Sequence, residues 1–181
     1  MIARQLRRMG YEVYDTDSQA KRLIVEDSKI RKQITALFGE EVYKDGVYQT
    51  ALVAQKVFAD KSLLAQLNAI VHPAVRQDIL HRFTSPPFRG ESGGGLFFIE
   101  CAILYQAGID ALCDKVVAVT APEDIRLSRV IARDRSDIDK VRARMRAQST
   151  EEDLRRADIV IHNDGTTPIP QLCEELLQLI K

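Results

Sequence analysis

Four short apolar runs, each followed by helical patterning, restrict what this chain can fold into. Glu12-Val-Tyr-Asp-Thr-Asp17, Leu96-Phe-Phe-Ile-Glu100, Lys115-Val-Val-Ala-Val-Thr120 and Asp158-Ile-Val-Ile-His162 read as strands. The second and third are near-continuous apolar runs, which predicts strands buried on both faces, as in parallel sheets. Strands alternating with helices predict an α/β fold: a parallel sheet covered on both faces and joined by right-handed crossovers. Ligands in such sheets bind just beyond the carboxyl ends of the strands, so the acidic ends Asp15, Asp17 and Glu100 are placed for chemistry.

The helical patterning is clearest where apolar residues recur on one face. Ile2, Leu6 and Met9 do so ahead of Gly10, in a helix with no N-capping residue and no acid in its first turn. Ser18 to Val25, Lys29 to Phe38, Ala51 to Ala59 and Ser62 to Val71 follow, with Lys44-Asp-Gly46 as a turn. Pro73 is expected to open one more helix running to Phe83. Residues 18 to 83 are therefore expected to be all-helical. Thr84 to Gly95 carries two prolines and four glycines and reads as a flexible loop. Its glycines do not make a phosphate loop, because no Lys-Ser or Lys-Thr follows and a strand comes next. Beyond it, helices are expected around Ile103 to Leu112, from Pro122 through Arg133, over Asp137 to Ala147, Glu151 to Arg156 and Ile169 to Ile180.

Composition excludes several classes. The chain has 181 residues, 45% hydrophobic and 29% charged, with a formal charge of zero, so no global field draws it to nucleic acid or an anionic membrane. No apolar run approaches the length of a bilayer span. Any anion site must be local. Cys101, Cys113 and Cys173 are odd in number and lack metal or redox spacing, which favours reduced thiols in a cytoplasmic protein.

Three constellations could carry chemistry. Asp15 and Asp17, two apart on an extended strand, point the same way and could hold Mg²⁺ and orient a hydroxyl; alternatively one of them caps the next helix. Glu100 ends its strand as an acid that orients water on Mg²⁺ would, or else it simply meets solvent. Arg126 to Arg156 holds ten of the 26 Lys and Arg against six acids, with Arg129 and Arg133 one turn apart. Guanidinium forks match phosphate oxygens, although such charge runs also occur as solvated helix faces. His72, with Asn68 one turn earlier, reads as a polar contact of a cleft or as a locally satisfied histidine.

Taken in order, these pieces resemble the dephospho-coenzyme A kinase family of P-loop kinases. The resemblance rests on Gly10 to Asp17 with Ala20-Lys-Arg22, Leu37-Phe-Gly39, Val57-Phe58, Leu67-Asn-Ala-Ile-Val-His-Pro73, Arg129 to Asp134, Ala147-Gln148, Ala157-Asp158 and Asn163-Asp-Gly165. Leu-Asn-x-x-x-His-Pro is the most specific of them. The resemblance implies a three-layer P-loop-kinase-type parallel sheet with an inserted helical domain and a basic lid. Residues 1–17 and 96–181 would form the core, with the lid at about 133–156, 18–83 the coenzyme-binding domain and 84–95 a loop.

It further implies phosphorylation of the ribose 3′-hydroxyl of dephospho-CoA by ATP with Mg²⁺, the last step of coenzyme A synthesis. Asp17 and Arg133 would be catalytic. Arg129, Asn163, Asp164 and Gly165 would bind ATP, Lys21, Asn68 and His72 the acceptor, and Asp15 and Glu100 the metal. Two positions depart from the family pattern: Gln49-Thr50 stands for Asp-Arg, and Ala102-Ile-Leu-Tyr-Gln106 for Pro-Leu-Leu-x-Glu. The family's opening strand and G-x-x-x-x-G-K-[ST] segment would end directly before Met1 in this register. The expectation is thus a sheet lacking its first strand and a chain that is inactive by itself, with a non-catalytic relic that keeps a binding surface as the alternative.

Overall fold

The computed structural model describes residues 1–85, 95–134 and 151–180, apart from the side chains of residues 133 and 134. The chain divides into two compact units, Val13–Cys101 and Met1–Glu12 with Ala102–Lys181.

The first unit is built around β1 (Glu12–Asp15), hydrogen-bonded to β4 (Phe97–Glu100). The connection between them runs through α2 (Thr16–Glu26), α3 (Ser28–Phe38), the hairpin β2 (Tyr43–Lys44) and β3 (Val47–Tyr48), α4 (Thr50–Ala59) and α5 (Lys61–Thr84). Asp27 separates α2 from α3 and caps the latter, its Oδ1 accepting from Lys29 N at 2.8 Å and Ile30 N at 3.1 Å. Ile30, Ile34 and Phe38 recur at spacings of four on α3, and Val71, Val75 and Ile79 on α5. Each buried side chain of this kind contributes about 1.5–3 kcal/mol, which is what packs α2 and α3 against α5.

Two expectations for this segment are corrected. Residues 18–83 are not all-helical, since Tyr43 pairs with Tyr48 and Lys44 with Val47 across the turn. Asp45 and Gly46 both take positive φ, 51° and 79°, as a two-residue hairpin turn requires. The two tyrosine rings lie 5.3 Å apart, and the Tyr43 hydroxyl donates to the Ile24 carbonyl at 2.8 Å, fastening the hairpin to α2. Nor does Pro73 open a helix. It lies inside the continuous α5. The ring costs that helix one hydrogen bond, but Pro73 is exposed while Val71 and Val75 on either side of it are buried, so packing holds the two halves in line.

In the second unit α1 (Ile2–Arg8) packs on α8 (Ile169–Leu179) through Ile2, Leu6, Leu172, Cys173 and Leu176. Here β5 (Val117–Thr120) lies parallel to β6 (Ile159–His162), with Val117 opposite Ile159 and Thr120 opposite His162. Between those strands come α6 (Glu123–Asp134) and α7 (Glu151–Arg156). The expected helix at 103–112 is instead a run of turns ending in a 3₁₀ turn at Asp110–Leu112. Gly108 takes φ 63°, and Ile109 N reaches back to Leu104 O at 3.0 Å, closing the chain on itself. The expected helix over 137–147 and the loop at 86–94 lie outside the described residues.

β4 and β5 are only half-buried, where both were expected to be covered on two faces. Val119 is 48% exposed and Val160 39%. Within the first unit Tyr14 bonds to α5 and Thr16 to β4, so β1 from Val13 onward and β4 are held to its helices.

Gly39 ends α3 at φ 95°, ψ 166°, a region open essentially to glycine alone. A methyl group there would run into the Glu41 carboxylate, which is held by Lys56 as that lysine also caps the Phe38 carbonyl at 2.7 Å. Gly39→Ala should therefore lower stability by about 1–3 kcal/mol in urea unfolding; an unchanged midpoint would show that the helix end relaxes without cost.

Candidate active site

The acidic end of β1 is arranged differently from a strand with two carboxylates on one face. Asp15 is the last strand residue and the N-cap of α2. Its Oδ1 accepts from Ser18 N at 3.1 Å and its Oδ2 from Ser18 Oγ at 2.9 Å. Thr16 begins the helix and is buried, its hydroxyl donating to the Glu100 carbonyl at 3.0 Å. Asp17 thus sits in the first helical turn, exposed, with Lys21 one turn further on and also exposed. The extended period of two does not apply to this pair, because the chain turns helical between them. Asp15 does the capping and Asp17 is left facing solvent.

Beneath this turn lies a cluster that the sequence reading missed. Tyr14, 2% exposed, donates its hydroxyl to Asp78 Oδ2 at 2.7 Å, and Arg22 Nη2 donates to Asp78 Oδ1 at 2.8 Å. Burial, reinforced by the bond to Asp78, pushes the Tyr14 phenol far above its ordinary range, so it remains a donor at any physiological pH. Asp78 belongs to α5, as do Asn68 and His72, which are both half-buried and one turn apart. Burial and then the nearby Arg76 push the His72 imidazole below its ordinary range.

In the other unit the functional candidates follow β6. Asn163 is 6% exposed, and its Oδ1 is buried with no donor among the described residues. Its carbonyl accepts from Arg129 Nη1 at 2.8 Å, which holds the guanidinium of α6 across the strand end. Asp164 Oδ1 accepts from Thr166 N at 2.9 Å and Thr166 Oγ1 at 2.7 Å, closing a turn in which Gly165 takes φ 93°. These bonds hold the Asp164 carboxyl below its ordinary range. A Cβ at 165 would meet Arg129 Nη2 at 3.5 Å, an ordinary contact, so it is the positive φ rather than lack of space that favours glycine here. Arg133 falls in α6 one turn beyond Arg129, but its side chain and residues 135–150 of the expected lid lie outside the described residues.

The family model described as CoaE, dephospho-CoA kinase, matches residues 1–168. The chain belongs to the dephospho-CoA kinase family. It is 38% identical over 157 residues to a Porphyromonas gingivalis protein named dephospho-CoA kinase, covering 87% of this chain and 75% of that one. The crystal structure of TT1252 from Thermus thermophilus superposes with a TM-score of 0.79 at 32% identity, covering 99% of this chain and 87% of the other. A dephospho-CoA kinase from Campylobacter jejuni shares the fold, with a TM-score of 0.69 at 23% identity and coverage of 99% and 89%. The family is one of phosphotransferases, and the α/β fold with parallel strands agrees with these neighbours.

Asp15, Asp17, Lys21, Asn68, His72 and Glu100 thus fall in the unit Val13–Cys101, and Arg129, Asn163, Asp164 and Gly165 in the other. No cluster of three or more His, Cys, Asp or Glu that could hold a metal occurs among the described residues. The carboxylates of Asp15 and Glu100 nonetheless suit Mg²⁺ in donor type, since that ion is usually held by one or two carboxylates together with substrate phosphates. Tyr14 and Asp78 were missed because each reads as an ordinary strand or helix residue. Only their distance in sequence, closed by the fold, gives them meaning.

As pH falls through the unfolded histidine range near 6.5, the unfolded chain takes up a proton that His72 in the folded state resists. The His72 contribution to stability is therefore present above that range and lost as pH falls through the lower folded value. NMR titration should place His72 below the ordinary value, and Arg76→Gln should raise it only part of the way, burial being the larger cause. Full restoration by that variant would reverse the order of causes.

Proposed function

We propose that this chain transfers the γ-phosphoryl group of ATP to the ribose 3′-hydroxyl of dephospho-CoA, yielding coenzyme A and ADP. The observation that carries the reading is the division of labour at the start of α2: Asp15 satisfies the helix end, which leaves the Asp17 carboxylate exposed beyond the end of β1. Asp17 accepts the hydrogen bond of the 3′-hydroxyl and takes its proton as that oxygen bonds to phosphorus and the bond from phosphorus to the β–γ bridging oxygen breaks. Lys21, one turn away, faces the negative charge of the acceptor, and Asn68 and His72 contribute polar contacts from α5.

On the nucleotide side, the unpartnered Asn163 Oδ1 suits an N–H donor such as the exocyclic amine of adenine. The turn at Asp164 and Gly165 lets the base approach the backbone. Arg129, preset by the Asn163 carbonyl, and Arg133 oppose phosphate charge. Mg²⁺, when bound through Asp15 and Glu100 with the phosphates, would offset the charge of the transferring group. In phosphoryl transfer such positioning and charge neutralisation make up most of catalysis. The relatives support this reading, and the relic alternative has no observation of its own in its favour. We place the reaction in the cytoplasm on the three free cysteines; no helix among the described residues is long and apolar enough to cross a membrane.

Asp17→Asn keeps the side-chain shape and removes the proton acceptor. It should lower turnover of dephospho-CoA by roughly 10²–10⁴-fold in a coupled ADP-release assay while leaving ATP affinity by calorimetry unchanged. Turnover close to that of the unsubstituted protein would remove Asp17 from the mechanism.

A further inference from the structure

The Asp78 carboxylate joins three elements. It accepts from Tyr14 of β1 and from Arg22 of α2, and it is itself part of α5. Its side chain is 22% exposed and that of Arg22 39%, so the ion pair is partly shielded from water, while Tyr14 is fully packed. The Arg22 fork is fixed a second time, as Nε donates to Gln19 Oε1 at 2.6 Å. An aromatic series backs the arrangement: the Tyr14 ring lies 6.4 Å from that of Phe97, which lies 5.8 Å from Phe83 near the end of α5.

We propose that Asp78 is a positioning residue for the acceptor side of the transfer, clamping β1 and α2 onto α5 so that Asp17 and Lys21 keep a fixed register against Asn68 and His72. The inference rests on the function proposed above. Arg22 follows Asp17 by five residues and Asp78 follows His72 by six, about 7.5 and 9 Å along their helices. The clamp therefore lies within two turns of the groups it orients, on the same two helices. The Thr16 hydroxyl on the Glu100 carbonyl fixes the start of α2 to β4, so the helix is held at both its first and second turns. A helix pinned at its start can still swing about that point. The bond to Asp78 removes the swing, and it does so directly against the helix that carries the substrate contacts. A shift of about 1 Å in a group positioning a nucleophile can cost 10²-fold in rate.

Two variants test this. Asp78→Asn keeps the volume and an acceptor for Tyr14 but removes the charge opposite Arg22. Tyr14→Phe removes only the hydroxyl, keeps the ring against Phe97, and carries the test if the first variant does not fold. In each, kcat for dephospho-CoA phosphorylation should fall about tenfold or more with the KM for ATP unchanged. The double variant should lose less than the product of the single losses. Amide hydrogen exchange over residues 16–22 should speed up about tenfold in both. A lowered melting temperature with unchanged kcat per folded molecule, or unchanged exchange over 16–22, would overturn the proposal and leave Asp78 a stabilising residue only. Should the unsubstituted protein fail to phosphorylate dephospho-CoA, the function proposed above fails, and the exchange measurement still decides whether the clamp exists.

Discussion

The capping of α2 by Asp15 sets the direction of everything acidic near β1. A helix leaves its first backbone N–H groups without partners, and a strand that turns directly into a helix has only its last residue with which to satisfy them. Asp15 does so with both carboxylate oxygens on Ser18, backbone and hydroxyl. Because the cap comes from the strand, no loop intervenes, and the first helical turn inherits the direction of β1. Thr16 is driven inward onto the Glu100 carbonyl and Asp17 outward.

The same junction explains what could be read from the sequence and what could not. The four apolar strands and helices such as α1 and α3 announce themselves by pattern, and the family by the order of short motifs. Helix boundaries near Asp15 could not be read, because an acidic residue two positions from another fits an extended pair and a cap equally well. The hairpin at 43–48 was legible in principle: Asp-Gly between Val, Tyr and Lys is a two-residue turn signal, obscured by its position in a long helical segment. Pro73 misled in the opposite direction. The local rule for proline favours a helix start, and the buried stripe of Val71, Val75 and Ile79 overrides it. The Tyr14–Asp78 bond spans 64 residues and leaves no local trace.

Zero net charge in a chain of a family that handles phosphorylated substrates requires that positive charge be kept selectively. Several arginines among the described residues are spent on carboxylates: Arg22 on Asp78 and Glu26, Arg155 on Glu151, and Arg156 on Asp110 while it also stacks 3.7 Å over the Tyr105 ring. Each such pair orients a side chain but cancels its field. Arg129 is held differently. Among the described residues its hydrogen bond is to the Asn163 carbonyl, a neutral acceptor, which fixes the guanidinium in place without cancelling its charge. A cation oriented by a carbonyl needs no rearrangement when an anion arrives and gives up no ion pair to meet it, which is the condition under which a single arginine contributes most to binding or stabilising phosphate. The buried, unpartnered Asn163 Oδ1 on the same residue couples that preset charge to a site that still lacks a donor. Orientation of the Arg129 cation and demand for an N–H donor thus arise from one asparagine, its backbone serving the first and its side chain the second.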